Sequence, residues 1–161
     1  MKVVILCGGQ GTRLREETEV KPKPMVLIGG KPILWHIMKI YAHHGLTEFV
    51  LCLGYKGHVI KDFFLNYHSR TRDVTVKMGA EPDVSFHESG EEEENWGVTL
   101  ADTGEETLTG SRLHHVRRHL GQETFCLTYG DGLGDVDIAG LVAFHKSHGK
   151  LVTVTGVRPS G

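Results

Sequence analysis

Val3-Val4-Ile5-Leu6 is a continuous apolar run that leads through Cys7 into Gly8-Gly9-Gln10-Gly11. A strand with one wet face alternates apolar and polar residues, whereas an unbroken run suits a strand covered on both faces, as in a parallel sheet. Helical spacings separate the further strand-like runs. Lys31 to His44 carries Ile33, Leu34, Ile37, Ile40 and Tyr41 at helical intervals, with Pro32 suited to its first turn and Gly45 to its end. Phe49 to Leu53 reads as a second buried strand ended by Gly54, and Gly57 to Tyr67 as a helix with Val59, Ile60, Phe63 and Phe64 on one face. Val74 to Met78 alternates like a strand. Gly79 to Asn95, with Pro82, Gly90 and the acidic run Glu91 to Glu94, reads as an exposed loop or irregular hairpin tip whose charges face water. Trp96 to Ala101 is strand-like, Ser111 to Leu120 helical, and Phe125 to Tyr129 a buried strand ending in Gly130-Asp131-Gly132. Ile138 to His148 is expected to be a helix with Leu141, Val142 and Phe144 toward the core, and Leu151 to Val157 a last strand. No internal repeat is visible.

Strands joined by helices predict an α/β fold, a mostly parallel mixed sheet with helices on both faces. Right-handed crossovers place the loops that follow the strands along one edge, where such sheets bind ligands. The 161 residues suffice for one domain with its own core. Lys plus Arg is 18 against Asp plus Glu 20, and the net charge of -2 argues against a nucleic-acid binder. No apolar run approaches the roughly 20 residues that span a bilayer, and the first apolar run is shorter than a signal peptide requires. Cys7, Cys52 and Cys126 are odd in number and far apart, which fits neither a disulfide framework nor a zinc site. Buried thiols in a cytoplasmic protein are the expectation.

Two strand-leaving loops carry unusual chemistry. In Leu6-Cys7-Gly8-Gly9-Gln10-Gly11-Thr12-Arg13-Leu14 the glycines let the backbone approach a ligand, phosphate oxygens being the natural target, and Arg13 adds a fork of donors. Neither a Walker A loop nor Gly-x-Gly-x-x-Gly is present, and a plain tight turn is the alternative. In Lys21-Pro22-Lys23-Pro24-Met25 the prolines stiffen the chain around Lys23, which suits a phosphate contact or an ordinary loop lysine. Asp131, between two glycines after a strand, is placed for Mg²⁺, which takes one or two carboxylates plus phosphate oxygens and water. A turn aspartate or helix cap is the alternative, and Asp137 fits the capping role better. The His pairs lack further ligands at metal spacing and read as surface or packed residues.

Together these segments resemble the sugar-nucleotide pyrophosphorylase (nucleotidyltransferase) superfamily, and within it the glucose-1-phosphate cytidylyltransferases. The resemblance rests on Gly8 to Leu14 and Lys21 to Met25, then on Lys31 to Lys39, Gly54 to Gly57, Val98 to Gly104 and Thr128 to Gly132. It implies a Rossmann-like nucleotidyltransferase fold and the reaction of CTP with glucose 1-phosphate to give CDP-glucose and pyrophosphate, in a homo-oligomer when the full fold is present. That product feeds the dideoxysugars of bacterial surface polysaccharides. By the same resemblance Leu6, Cys7, Gly8, Gly9, Gln10, Gly11, Thr12 and Arg13 contact the nucleotide, and Lys23 holds phosphate. Thr107 and Arg112 help recognise the cytidine portion, Gly130 lines the pocket and Asp131 binds Mg²⁺. Arg13 and Lys23 are the residues implied in catalysis. Family members continue well past the position of Gly161. The chain is therefore expected to be one domain over residues 1–161, incomplete at the C-terminus, without the remainder's sugar-binding residues and second acidic metal ligand. A transferase using dTTP or UTP, a catalytically impaired nucleotide-binding module, and an interaction protein on a borrowed fold are the competing readings.

Overall fold

β1 (Val3–Cys7) is buried along its whole length, and the chain is arranged around it. The computed structural model describes residues 1–9, 21–87 and 94–157. β1 lies between β4 (Glu48–Leu53) and β8 (Cys126–Tyr129), and β7 (Gly97–Asp102) flanks β4, giving a sheet in the order β7-β4-β1-β8. All three pairings are parallel, with Val3 opposite both Phe49 and Cys126 and Leu51 opposite Leu100. Alternate side chains of β1 and β4 therefore serve opposite faces. Val3, Ile5, Phe49, Leu51 and Leu53 pack with Leu34, Ile37 and Met38 of α1 (Ile33–His43), Ile60 of α2 (Gly57–Leu65) and Ile138 of α5 (Ile138–His148). Val4, Leu6, Val50 and Cys52 pack with Val116 of α4 (Thr109–Leu120) on the other face. The unbroken apolar runs are explained by these two cores, and the α/β expectation of helices on both faces holds.

Two small ribbons stand outside this sheet. β2 (Leu27–Ile28) and β3 (Lys31–Pro32) are joined through Gly29 and Gly30, whose φ of +57° and +83° suit a tight hairpin turn that side chains disfavour. β5 (Val74–Lys77) and β6 (Asp83–Phe86) form an exposed antiparallel hairpin, so the stretch after Gly79 includes a second strand.

The elements differ from the sequence expectation at several points. Pro32 is extended (φ -61°, ψ 149°) and precedes α1, so the helix starts one residue later than a first-turn proline would give. The expected helix 57–67 breaks at Asn66, and α3 (Tyr67–Thr71) restarts beyond it. The Asn66 side-chain amide donates to the Asp62 carbonyl at 2.9 Å, so a side chain competes there with the helical ladder. β8 is only half buried, because among the described strands it pairs with β1 alone and Val116 seats over β1 and β4. Phe144 points outward at 60% exposure, leaving Ile138 and Val142 as the inward residues of α5. Residues 151–157 form no strand, and Leu151 is 98% exposed. What ties that segment to the fold is Thr153, whose hydroxyl meets His145 Nδ1 at 2.8 Å and His148 Nε2 at 2.9 Å. Glu94, at the end of the acidic run, is not a freely solvated charge but pairs with Lys39 at 3.1 Å; Glu91 lies outside the described residues. Among the described residues no helix is long and apolar enough to cross a membrane.

Two leucines test this map. Leu51 is fully buried in β4, so Leu51→Ala is expected to lower unfolding free energy by about 2–5 kcal/mol. Leu151→Ala should change it by less than about 0.5 kcal/mol. Denaturant titrations of both variants decide the point, and equal losses would place residue 151 in the core.

Candidate functional site

Because the four strands are parallel, their carboxyl ends share one edge, and three of the loops leaving it converge. Gly130, at the end of β8, donates its N–H to the Leu6 carbonyl at 3.0 Å and is buried. A Cβ there would lie 2.9 Å from Cys7 Sγ and 3.1 Å from Pro24 Cγ, so glycine is what lets β8, the β1 loop and the Pro22–Pro24 segment close on each other. The 3-10 turn Lys23–Met25 buries Pro24 and Met25, which anchors Lys23 at the mouth. The Lys23 ammonium donates to the Asp131 carboxylate at 3.0 Å. Both side chains are partly exposed, so the ion pair contributes about 1 kcal/mol or less and re-partners easily.

These elements enclose a cavity of about 580 Å³. Leu6, Cys7, Gly8, Gly9, Lys23, Thr107, Arg112 and Asp131, each singled out from the sequence, line it. Gly130 supports its wall, while Gln10, Gly11, Thr12 and Arg13 lie outside the described residues. Sequence reasoning missed Glu105, Glu106, Leu108 and Thr109, which also line it. Their signal was Gly104, which lies two residues after β7 with φ +88° and marks a turn at a strand's carboxyl end. A larger hollow of about 1090 Å³ lies along α1 beside His36, Lys39 and Trp96, and neither Gly8 nor Gly9, the described glycines of the β1 loop, lines it.

Arg112 reaches the cavity from α4 and is 6% exposed. Its guanidinium donates to the carbonyls of Leu53 (3.1 Å), Gly104 (2.7 Å), Glu105 (3.0 Å) and Gly8 (3.2 Å), and to the Thr103 hydroxyl (2.7 Å). Thr103 is itself buried and donates to the Leu53 carbonyl at 2.6 Å. A Cβ on Gly8 would lie 2.2 Å from Arg112 Cζ.

Asp131 is the carboxylate facing Lys23, and no group of three His, Cys, Asp or Glu among the described residues could hold a metal ion by itself. A single carboxylate fits Mg²⁺ when phosphate oxygens and water supply the other positions. Asp137 instead caps α5, accepting from the Gly140 N–H at 2.9 Å, and Asp135 lines the hollow beside α1. Burial holds the Cys7 thiol far above the ordinary thiol range, with nearby Cys52 and Asp131 adding to the rise. Burial pushes Cys52 up to about 11 against a smaller opposing pull from Arg112. Neither thiol is an activated nucleophile.

The family profile described as Nucleotidyl transferase matches residues 2–160. The chain is 54% identical over its whole length to a glucose-1-phosphate cytidylyltransferase of Salmonella typhimurium and covers 62% of that protein. A Bacillus subtilis protein named probable glucose-1-phosphate cytidylyltransferase is 46% identical over 98% of the chain, which covers 60% of it. The chain therefore spans about three fifths of the length of these curated relatives. Among solved structures, HddC from Yersinia pseudotuberculosis, complexed with GMP-PN, superposes with a TM-score of 0.63 at 26% identity. That match covers 89% of this chain and 53% of HddC.

The thiols give a pH signature. Folding keeps Cys7 and Cys52 neutral, so their contribution is complete below the unfolded value of 9.0 and declines above it, for Cys52 until about pH 11. Each thiol should cost about 1.4 kcal/mol of stability per pH unit across that window. Urea midpoints measured at rising alkaline pH are expected to fall, and a Cys7→Ala, Cys52→Ala double variant to lose most of that slope. Rapid alkylation of both thiols in the folded protein near neutral pH would contradict their burial.

Proposed function

The chain belongs to the nucleotidyl transferase family, and from that premise we propose that its cavity is the nucleoside-triphosphate site of a glucose-1-phosphate cytidylyltransferase. The observation that carries this reading is the convergence of the Gly8–Gly9 turn, Lys23 and Asp131 on one cavity at the carboxyl edge of a parallel sheet. That is where such sheets bind ligands, and the three features match the backbone, cation and metal-linked carboxylate that a triphosphate needs. The 54% and 46% identical relatives, both named for cytidylyl transfer to glucose 1-phosphate, support the choice of base and sugar.

In this reaction an anionic oxygen of glucose 1-phosphate attacks the α-phosphorus of CTP, the new P–O bond forms CDP-glucose, and pyrophosphate leaves with the electrons of the broken bond. The nucleophile is already ionised, so the protein needs no general base and acts by positioning and charge neutralisation. Glycine at position 9 lets the main chain approach the phosphates, since nothing lies where its Cβ would be and it lines the cavity. Lys23 exchanges its Asp131 partner for a phosphate oxygen and neutralises charge near the reacting centre. Arg13, outside the described residues, is assigned to the departing pyrophosphate. Mg²⁺, when bound with the nucleotide through Asp131, supplies the remaining charge neutralisation along the triphosphate. Free thiols at Cys7, Cys52 and Cys126 fit a cytoplasmic enzyme.

Calorimetric titration of the protein with CTP, UTP, dTTP and ATP in the presence of Mg²⁺ tests the site. CTP is expected to bind best, and Lys23→Ala to weaken it about tenfold or more through loss of a charge-assisted hydrogen bond. Equal affinity for all four nucleotides would overturn the base assignment. Pyrophosphate release with CTP and glucose 1-phosphate then separates a transferase from a module that only binds.

A further inference from the structure

We propose that Arg112 is a positioning residue that clamps the loops of the nucleotide site together, and that it does not read the base. The inference rests on the cavity being a nucleotide site, but its geometry stands independently. A guanidinium offers four N–H groups on its two terminal nitrogens. In Arg112 these two nitrogens already face five acceptors at 2.7–3.2 Å, four of them main-chain carbonyls. Only the single Nε–H lies outside these bonds, so a base edge met by the terminal nitrogens would have to displace bonds of which three are buried, and leaving those acceptors unmet carries a cost.

The acceptors belong to three neighbouring strands. Gly8 follows β1, Leu53 ends β4, and Gly104 with Glu105 follows β7. One side chain from α4 thus sets the spacing of three strand ends across the sheet order β7-β4-β1. Two glycines make its seat. A Cβ on Gly8 would lie 2.2 Å from the guanidinium carbon, and one on Gly54 would lie 2.7 Å from a terminal nitrogen. The described ion pairs do not include Arg112, and among the described residues four carbonyl dipoles and the Thr103 hydroxyl solvate its charge. A buried cation with no ion-pair partner among the described residues is costly unless polar groups surround it, and here they fix its position. By fixing the Gly8–Gly9 turn, the clamp acts on the phosphate-facing part of the cavity whatever base is attached.

Inorganic tripolyphosphate and CTP, each titrated with Mg²⁺ into the wild type and Arg112→Lys, separate the two roles. A clamp predicts that both ligands weaken by the same factor, at least about tenfold, with the preference for CTP over UTP unchanged. Base reading predicts that CTP alone weakens and the preference collapses, which would overturn the proposal. Hydrogen exchange of the ligand-free proteins gives a second readout. Arg112→Lys is expected to speed exchange at Gly8–Gly9, Gly54 and Thr103–Glu105 together while Val4 and Val50 keep their protection. Loosening of the Thr103–Glu105 loop alone would refute the clamp. Should Arg112→Lys fail to fold, Thr103→Val removes one acceptor and is expected to move both readouts the same way by less; no change in either refutes the clamp. A wild type that binds neither ligand but shows the exchange pattern would refute the nucleotide reading and leave the clamp standing.

Discussion

β1 has a parallel neighbour on each side and a helical layer on each face, and that double enclosure governs the rest of the molecule. Main-chain groups removed from water must be paired, and both edges of β1 are, through β4 and β8. Parallel pairing then leaves each carboxyl end at the same edge, so the chain must travel back after every strand. The returning helices α1, α2 and α5 cover one face and α4 the other. Site residues from positions 6 to 131 meet at one cavity because this connectivity returns every strand to the same side.

The cavity itself is a balance of opposed charges held by unequal means. Lys23 and Asp131 neutralise each other at the open mouth, where water screens both and the pair is weak. Arg112 sits in the wall, buried, with carbonyl dipoles around it. A ligand with several negative charges can separate the exposed pair at little cost and also answer the buried cation. A neutral ligand can do neither.

Legibility in the sequence followed locality. The buried strands were visible because Val3 to Leu6 and Phe49 to Leu53 each carry their signal within a few consecutive residues. Asp137 was readable as a cap for the same reason, since its partner is the Gly140 N–H three residues on. The break at Asn66 was not, because the apolar spacing of Gly57 to Tyr67 runs on past the residue where the helix ends. The strand expected at 151–157 has the right composition but no described strand to pair with, and composition alone cannot supply a partner. Arg112 marks the limit most clearly. Four of its five acceptors are main-chain carbonyls, at Gly8, Leu53, Gly104 and Glu105. Every residue type carries that group, so no pattern of side chains could disclose the contacts.

The glycines join these points. In the sequence, glycine after a strand reads as freedom of the backbone and an open approach for a ligand. Gly9 fits that reading, since nothing lies near where its Cβ would be. Gly8 and Gly54 are the reverse case, positions where the space of a side chain is taken by a guanidinium from another element. Gly130 likewise yields its space to Cys7 and Pro24. Neighbouring glycines in one loop therefore do different work, one leaving room for what binds and the other for what holds the loop. That division explains how a segment with so little side-chain mass can be held in place by a residue more than a hundred positions away.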